Sequence, residues 1–154
     1  MSTPNEVASI RIRRESLLQA VIGLEDALAS PLGDKEKWRL RVAMATHHAS
    51  ARIEEHVTQT EGAGHILEEI RSVAPRLDRR VEQMLVDHET LQKAAHDLQT
   101  AVATLEVVDD EEAADQAIVV RNKAVEMMGL IARHRQRGAD LVYEAYHVDL
   151  GNSA

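Results

Sequence analysis

The sequence predicts an all-α fold: an antiparallel up-down four-helix bundle with a short extra helix between helices 2 and 3, filling residues 1–154 as one domain. Apolar residues recur every three or four positions through four long segments, which is the period of one helix face. Hydrophobic residues make up 44% of the chain but aromatic residues only 2%, with one Trp and no Phe. Such a core must be filled by Leu, Val, Ile, Ala and Met, which suits helix packed on helix. Three prolines and seven glycines leave little punctuation for a sheet with many turns.

The first helix is expected from about Asn5 to Ala29, with Val7, Ile10, Arg14, Leu17, Val21, Leu24 and Leu28 on its stripe. Ser30-Pro31-Leu32-Gly33-Asp34 breaks it and offers Asp34 as the cap of the next. The second helix follows from about Lys35 to Thr60, turning Trp38, Val42, Ala45, Ala49, Ile53, His56 and Thr60 inward. Gly62 and Gly64 end it, and a short helix over about His65–Ser72 leads to Pro75, which fits a first helical turn.

The third long helix has the most regular stripe: Leu77, Val81, Met84, His88, Leu91, Ala95, Leu98, Val102 and Leu105. One histidine interrupts it. Asp109-Asp110-Glu111-Glu112 complements the positive end of the fourth helix, whose stripe reads Val120, Ala124, Met127, Ile131, His134, Gly138, Leu141 and Ala145 before Asp149-Leu150-Gly151-Asn152 closes it.

The net charge of -8 argues against a nucleic-acid partner bound through a general basic surface. No apolar run is long enough to cross a bilayer and no basic-then-apolar leader opens the chain, so no membrane association and a cytoplasmic location are expected. The lack of cysteine excludes disulfides, a thiol nucleophile, an iron–sulfur cluster and covalently attached haem. No nucleophile with a base at readable spacing occurs, which points away from enzymatic hydrolysis. Val142, Tyr143 and Tyr146, beside Asp149-Leu150-Gly151, form the candidate patch for a homodimer or an unknown protein partner.

Counting about 1.5 Å per residue along antiparallel helices brings Arg14, His56, His88 and His134 to one level of the core. Buried polar groups need partners or a ligand, so the coincidence predicts a shared polar layer. The remaining histidines lack such company: His47 and His48 read as surface residues, His96 lies one position off the stripe, His65 has no spacing partner, and Glu144-x-x-His147 has no second copy.

The layer resembles that of the hemerythrin-like (HHE cation-binding) family, four-helix bundles of this length that hold a di-iron site for dioxygen binding, sensing or iron and peroxide handling. The resemblance rests on Asp87-His88-Glu89-Thr90-Leu91 in the third helix and on His56 and His134 in the second and fourth. It implies His56, His88 and His134 as metal ligands. The chain departs from the family at Arg14, Thr60 and Gly138, where a histidine and two carboxylates are expected. An arginine repels a metal pair, and without bridging carboxylates nothing fixes a metal–metal distance. Two readings stay open: one iron or zinc ion on the three imidazoles, or a site that has lost its metal. Glu61, Asp140 and Glu25 are the carboxylates within reach, with Glu61 the first candidate as a fourth ligand.

Two readings of other classes stand beside these. His134-Arg135-Gln136-Arg137-Gly138 resembles the His-x-x-Lys-Gly site of histidine phosphotransfer domains, in which an exposed imidazole accepts a phosphoryl group. A purely structural or partner-binding helical bundle would use neither metal nor phosphate.

Overall fold

The computed structural model describes the backbone of residues 4–148 and the side chains of residues 16–147. It is all-helical, with five α-helices and no strand among the described residues: α1 (Pro4–Ala29), α2 (Lys35–Thr60), α3 (Ile66–Val73), α4 (Asp78–Thr104) and α5 (Asp110–Tyr143). A 3-10 turn, Pro75–Leu77, leads into α4, and a π-helical turn, Glu144–Val148, extends α5. The expected closing turn at Asp149–Asn152 and the side chains of Val7, Ile10 and Arg14 lie outside the described residues.

The helix boundaries follow local chemistry. Asp34 accepts a hydrogen bond from the Lys37 backbone N–H at 2.9 Å, and Asp109 accepts one from Glu112 at 2.8 Å, so α2 and α5 each carry an acidic cap at their positive end. Gly62 and Gly64 adopt φ of 91° and 82°, a region that other residues enter at a cost, and there the chain leaves α2 for α3. Pro75 opens the 3-10 turn, where its missing N–H removes no helical bond.

Among the described residues, α1 packs along α2, α2 along α4 and α4 along α5, with a smaller contact of α1 on α5. Trp38 is buried under the α1–α2 connection, donates its indole N–H to Ser30 O at 3.1 Å, and has the Arg121 guanidinium 5.1 Å from its ring centre.

The apolar stripes do not make one continuous core. One cluster joins Leu17, Leu24, Val42, Ile53, Leu91, Leu98 and Ile131, among others, from α1, α2, α4 and α5. A second joins Leu67, Ile70, Leu77, Val81, Met84 and Leu141, where α3 covers the ends of α4 and α5. The three stripe histidines fall between the two. His88 stands between Met84 and Leu91, and His134 between Ile131 and Leu141, each pair having one member in either cluster. The polar layer therefore divides the core into two apolar clusters.

Three expectations about the inward face need correction. On α2 the buried residue is Thr46, while Ala45 is only partly covered. On α1, Ala20 is buried and Val21 half-buried. Both shifts are one position, as expected where an α-helix of 3.6 residues per turn is read as a strict three-four repeat. Finally, Ala145 is buried in the π-helical turn rather than in a continuing α-helix.

Candidate metal centre

α2, α4 and α5 each deliver one imidazole to a common point. The ring centres of His56, His88 and His134 lie 4.8 to 5.2 Å from one another, each pair edge to face. One nitrogen from each ring lies within 4.8 Å of the others, close enough for the three to hold a metal ion. His88 and His134 are 1% and 2% exposed, and His56 is half-buried.

Hydrogen bonding distinguishes the two nitrogens of each ring. His88 Nδ1 lies 2.6 Å from Glu61 Oε1, and His134 Nδ1 lies 3.1 Å from Asp87 Oδ2. A carboxylate accepts from an N–H, so these contacts place the proton of each neutral ring on Nδ1 and leave Nε2 with a lone pair. His134 Nε2 meets His56 Nε2 at 3.0 Å. His88 Nε2 is buried and has no hydrogen-bond partner among the described residues. Metal-binding histidines carry this arrangement, one nitrogen held by a carboxylate and the other presented to the ion.

The electrostatics favour a neutral His134 and a charged Asp87. Burial pushes the His134 pKa below its ordinary value; the Asp87 hydrogen bond opposes this without reversing it, and nearby His88 adds to the lowering. Burial also works against ionised Asp87. Hydrogen bonds from Gln83 at 3.0 Å, His134, and Arg137 at 2.6 Å outweigh it and hold the carboxyl below the usual range. Neutral imidazoles are the form that binds a metal.

Each residue singled out by the sequence now has a place. His56, His88 and His134 come together. Glu61 is the C-cap of α2 and one of its oxygens is bound to the far nitrogen of His88, behind the ring. Asp140 is exposed and holds Gln136, and Glu25 is exposed on α1, so neither carboxylate joins the layer. Thr60 directs its hydroxyl back to His56 O at 2.8 Å. Gly138 and Thr60 instead line a cavity of about 40 Å³, beside His56 and His88 and otherwise walled by apolar side chains such as Met84 and Leu141. Arg14 lies on α1, with its side chain outside the described residues. His47, His48, His65 and His96 are exposed, and His147 stacks on Tyr143 with ring centres 5.1 Å apart.

The buried position of His134 conflicts with phosphotransfer. A phospho-accepting imidazole must reach a partner's active site, and this ring is enclosed with both nitrogens engaged. The sequence reading missed Asp87, Gln83 and Arg137. Asp87 and Arg137 stood in the sequence as members of the motifs around His88 and His134, with no role of their own assigned.

Compared with protein-family models, curated proteins and solved structures, the chain gives no match. No described helix is long and apolar enough to cross a membrane.

Proposed function

We propose that the chain is a hemerythrin-like protein, an antiparallel up-down four-helix bundle of α1, α2, α4 and α5 with α3 inserted, whose polar layer binds one iron or zinc ion without performing enzymatic chemistry. His56, His88 and His134 would hold the ion. Glu61 and Asp87 would stand behind His88 and His134, bound to their Nδ1 atoms rather than to the metal. Three neutral imidazoles leave a divalent ion its full charge and an open position, which suits zinc or ferrous iron. The residues present do not fit a metal pair. Thr60 is bonded to the α2 backbone and Gly138 has no side chain, so neither offers a bridging carboxylate.

The observation that carries the reading is His88 Nε2, a buried lone pair with no partner among the described residues, opposite a nitrogen already held by Glu61. A metal-free layer is the second reading, and the His56–His134 contact at 3.0 Å favours it, since one N–H can satisfy that pair. It leaves His88 Nε2 unsatisfied, at about 1–3 kcal/mol. An ion removes that cost and replaces the His56–His134 bond.

Metal analysis of protein purified without a histidine tag tests the two. Metal binding predicts one equivalent of zinc or iron per chain. At a free zinc concentration 100 times Kd, the folded state gains about 2.7 kcal/mol, or roughly 5–10 °C in Tm for a domain of this size. Both effects should vanish in His88→Ala. A wild-type Tm unmoved by zinc or ferrous iron, with no metal retained, refutes the metal site.

A further inference from the structure

We infer that Asp87 is a positioning residue that sets which nitrogen of His134 carries the proton, and that Arg137 fixes Asp87 in the orientation needed to do so. This rests on the proposed metal layer for its purpose, but its geometry is present without any ion.

The two oxygens of Asp87 have different duties. Oδ1 accepts from Arg137 at 2.6 Å and from Gln83 at 3.0 Å. Oδ2 accepts from His134 Nδ1 at 3.1 Å. Both partners of Oδ1 lie outside the histidine triangle: Gln83 is one turn earlier on α4, and Arg137 follows His134 by three residues on α5. Arg137 reaches the surface, with 45% of its side chain exposed against 10% for Asp87. A guanidinium only donates, so whatever occupies position 87 must turn an acceptor toward it.

That asymmetry makes an isosteric change decisive. In Asp87→Asn, the amide oxygen is held on the Arg137 side and the NH2 group faces His134 Nδ1. His134 then accepts at Nδ1, and its proton moves to Nε2, the atom 3.0 Å from His56 Nε2. A protonated Nε2 has no lone pair for a metal. Replacing an aspartate behind a functional histidine by asparagine is known to act through the wrong tautomer while leaving the fold intact. Removing Arg137 as well releases the amide, which can then rotate its oxygen toward His134.

The test uses long-range 1H–15N spectra of the whole protein, with zinc affinity measured by competition with a chelating dye. In metal-free wild type, His134 should show the Nδ1–H pattern. Asp87→Asn should show Nε2–H with helicity unchanged, and zinc affinity should fall 10- to 100-fold, the usual cost of a lost outer partner. The double variant Asp87→Asn/Arg137→Met should recover the Nδ1–H pattern and most of the affinity, although it lacks two charged groups. An Asp87→Asn protein that keeps His134 as Nδ1–H, or a double variant no better than the single, overturns the inference. Because the tautomer is read without metal, a wild type that binds no zinc refutes the metal site and leaves the tautomer result to judge Asp87 by itself.

Discussion

His56 of α2 and His134 of α5 meet nitrogen to nitrogen, Nε2 to Nε2 at 3.0 Å. One of the two must donate. Asp87 already takes the proton on His134 Nδ1, so the donor in the metal-free protein is His56. The pair tolerates one proton between its facing nitrogens and no more, which makes the layer sensitive to acid.

Stability should therefore depend on pH in two steps. His134 has its folded pKa depressed below its ordinary 6.5, chiefly by burial. Between those two values the unfolded chain binds a proton that the folded chain refuses, so stability falls as pH drops from about 6.5 toward the folded value and then levels off. Asp87, ordinarily 3.8, is also depressed, against the pull of burial, by Gln83, His134 and Arg137. Its contribution is present above 3.8 and is lost as pH falls through its lower folded value. Urea midpoints between pH 3 and pH 8 should show a first decline beginning near pH 6.5. His134→Leu should remove that decline and leave the more acidic one.

Replacing His88 by Leu should separate stability from metal binding. The substitution removes a buried nitrogen without a partner among the described residues and joins the two apolar clusters across the layer. Glu61 is half-buried, so its freed oxygen can be hydrated. In the presence of a chelator, His88→Leu should be more stable than wild type by about 1 kcal/mol in urea unfolding, and zinc should no longer raise its Tm. A loss of stability under chelation would mean that the His88–Glu61 bond outweighs the unpaired nitrogen.

Gly138 offers a gentler change. Among the described residues a Cβ added there meets only the terminal methyl of Met84, at 3.2 Å, and a flexible methionine end can yield. Ala also removes the entropic cost of glycine inside a helix, about 1 kcal/mol. Gly138→Ala should thus raise stability by up to ~1 kcal/mol and narrow the cavity beside His56 and His88 without touching the three imidazoles. Denaturant midpoints and zinc affinity measured on the same variant check both halves.

The long helices and the histidine triangle were legible because both rest on period. A stripe of three-four spacing fixes which face each residue occupies, and His56, His88 and His134 sit on their stripes. Asp34, Gly62 and Gly64 marked their turns through backbone chemistry that is local in sequence. The rest was long-range. Asp87 borders the stripe, and its burial is made tolerable by Arg137, fifty positions away. Glu61 was a candidate ligand by position, but its partner, the outer nitrogen of His88, depends on how α2 ends against α4. The shared polar layer was readable from the common level of the histidines, but the second apolar cluster beyond it depends on how α3 packs at the ends of α4 and α5.

That division has a spectroscopic consequence. Trp38, the single tryptophan, belongs to the cluster on one side of the histidine layer, and Tyr146 packs against the cluster on the other. Tryptophan emission and tyrosine absorbance thus watch different halves of the molecule. If the halves melt together the two signals coincide; if they are separate cooperative units, the tyrosine signal should shift alone when α3 is loosened. The layer is then the hinge line of the energy landscape as well as the place where the imidazoles meet.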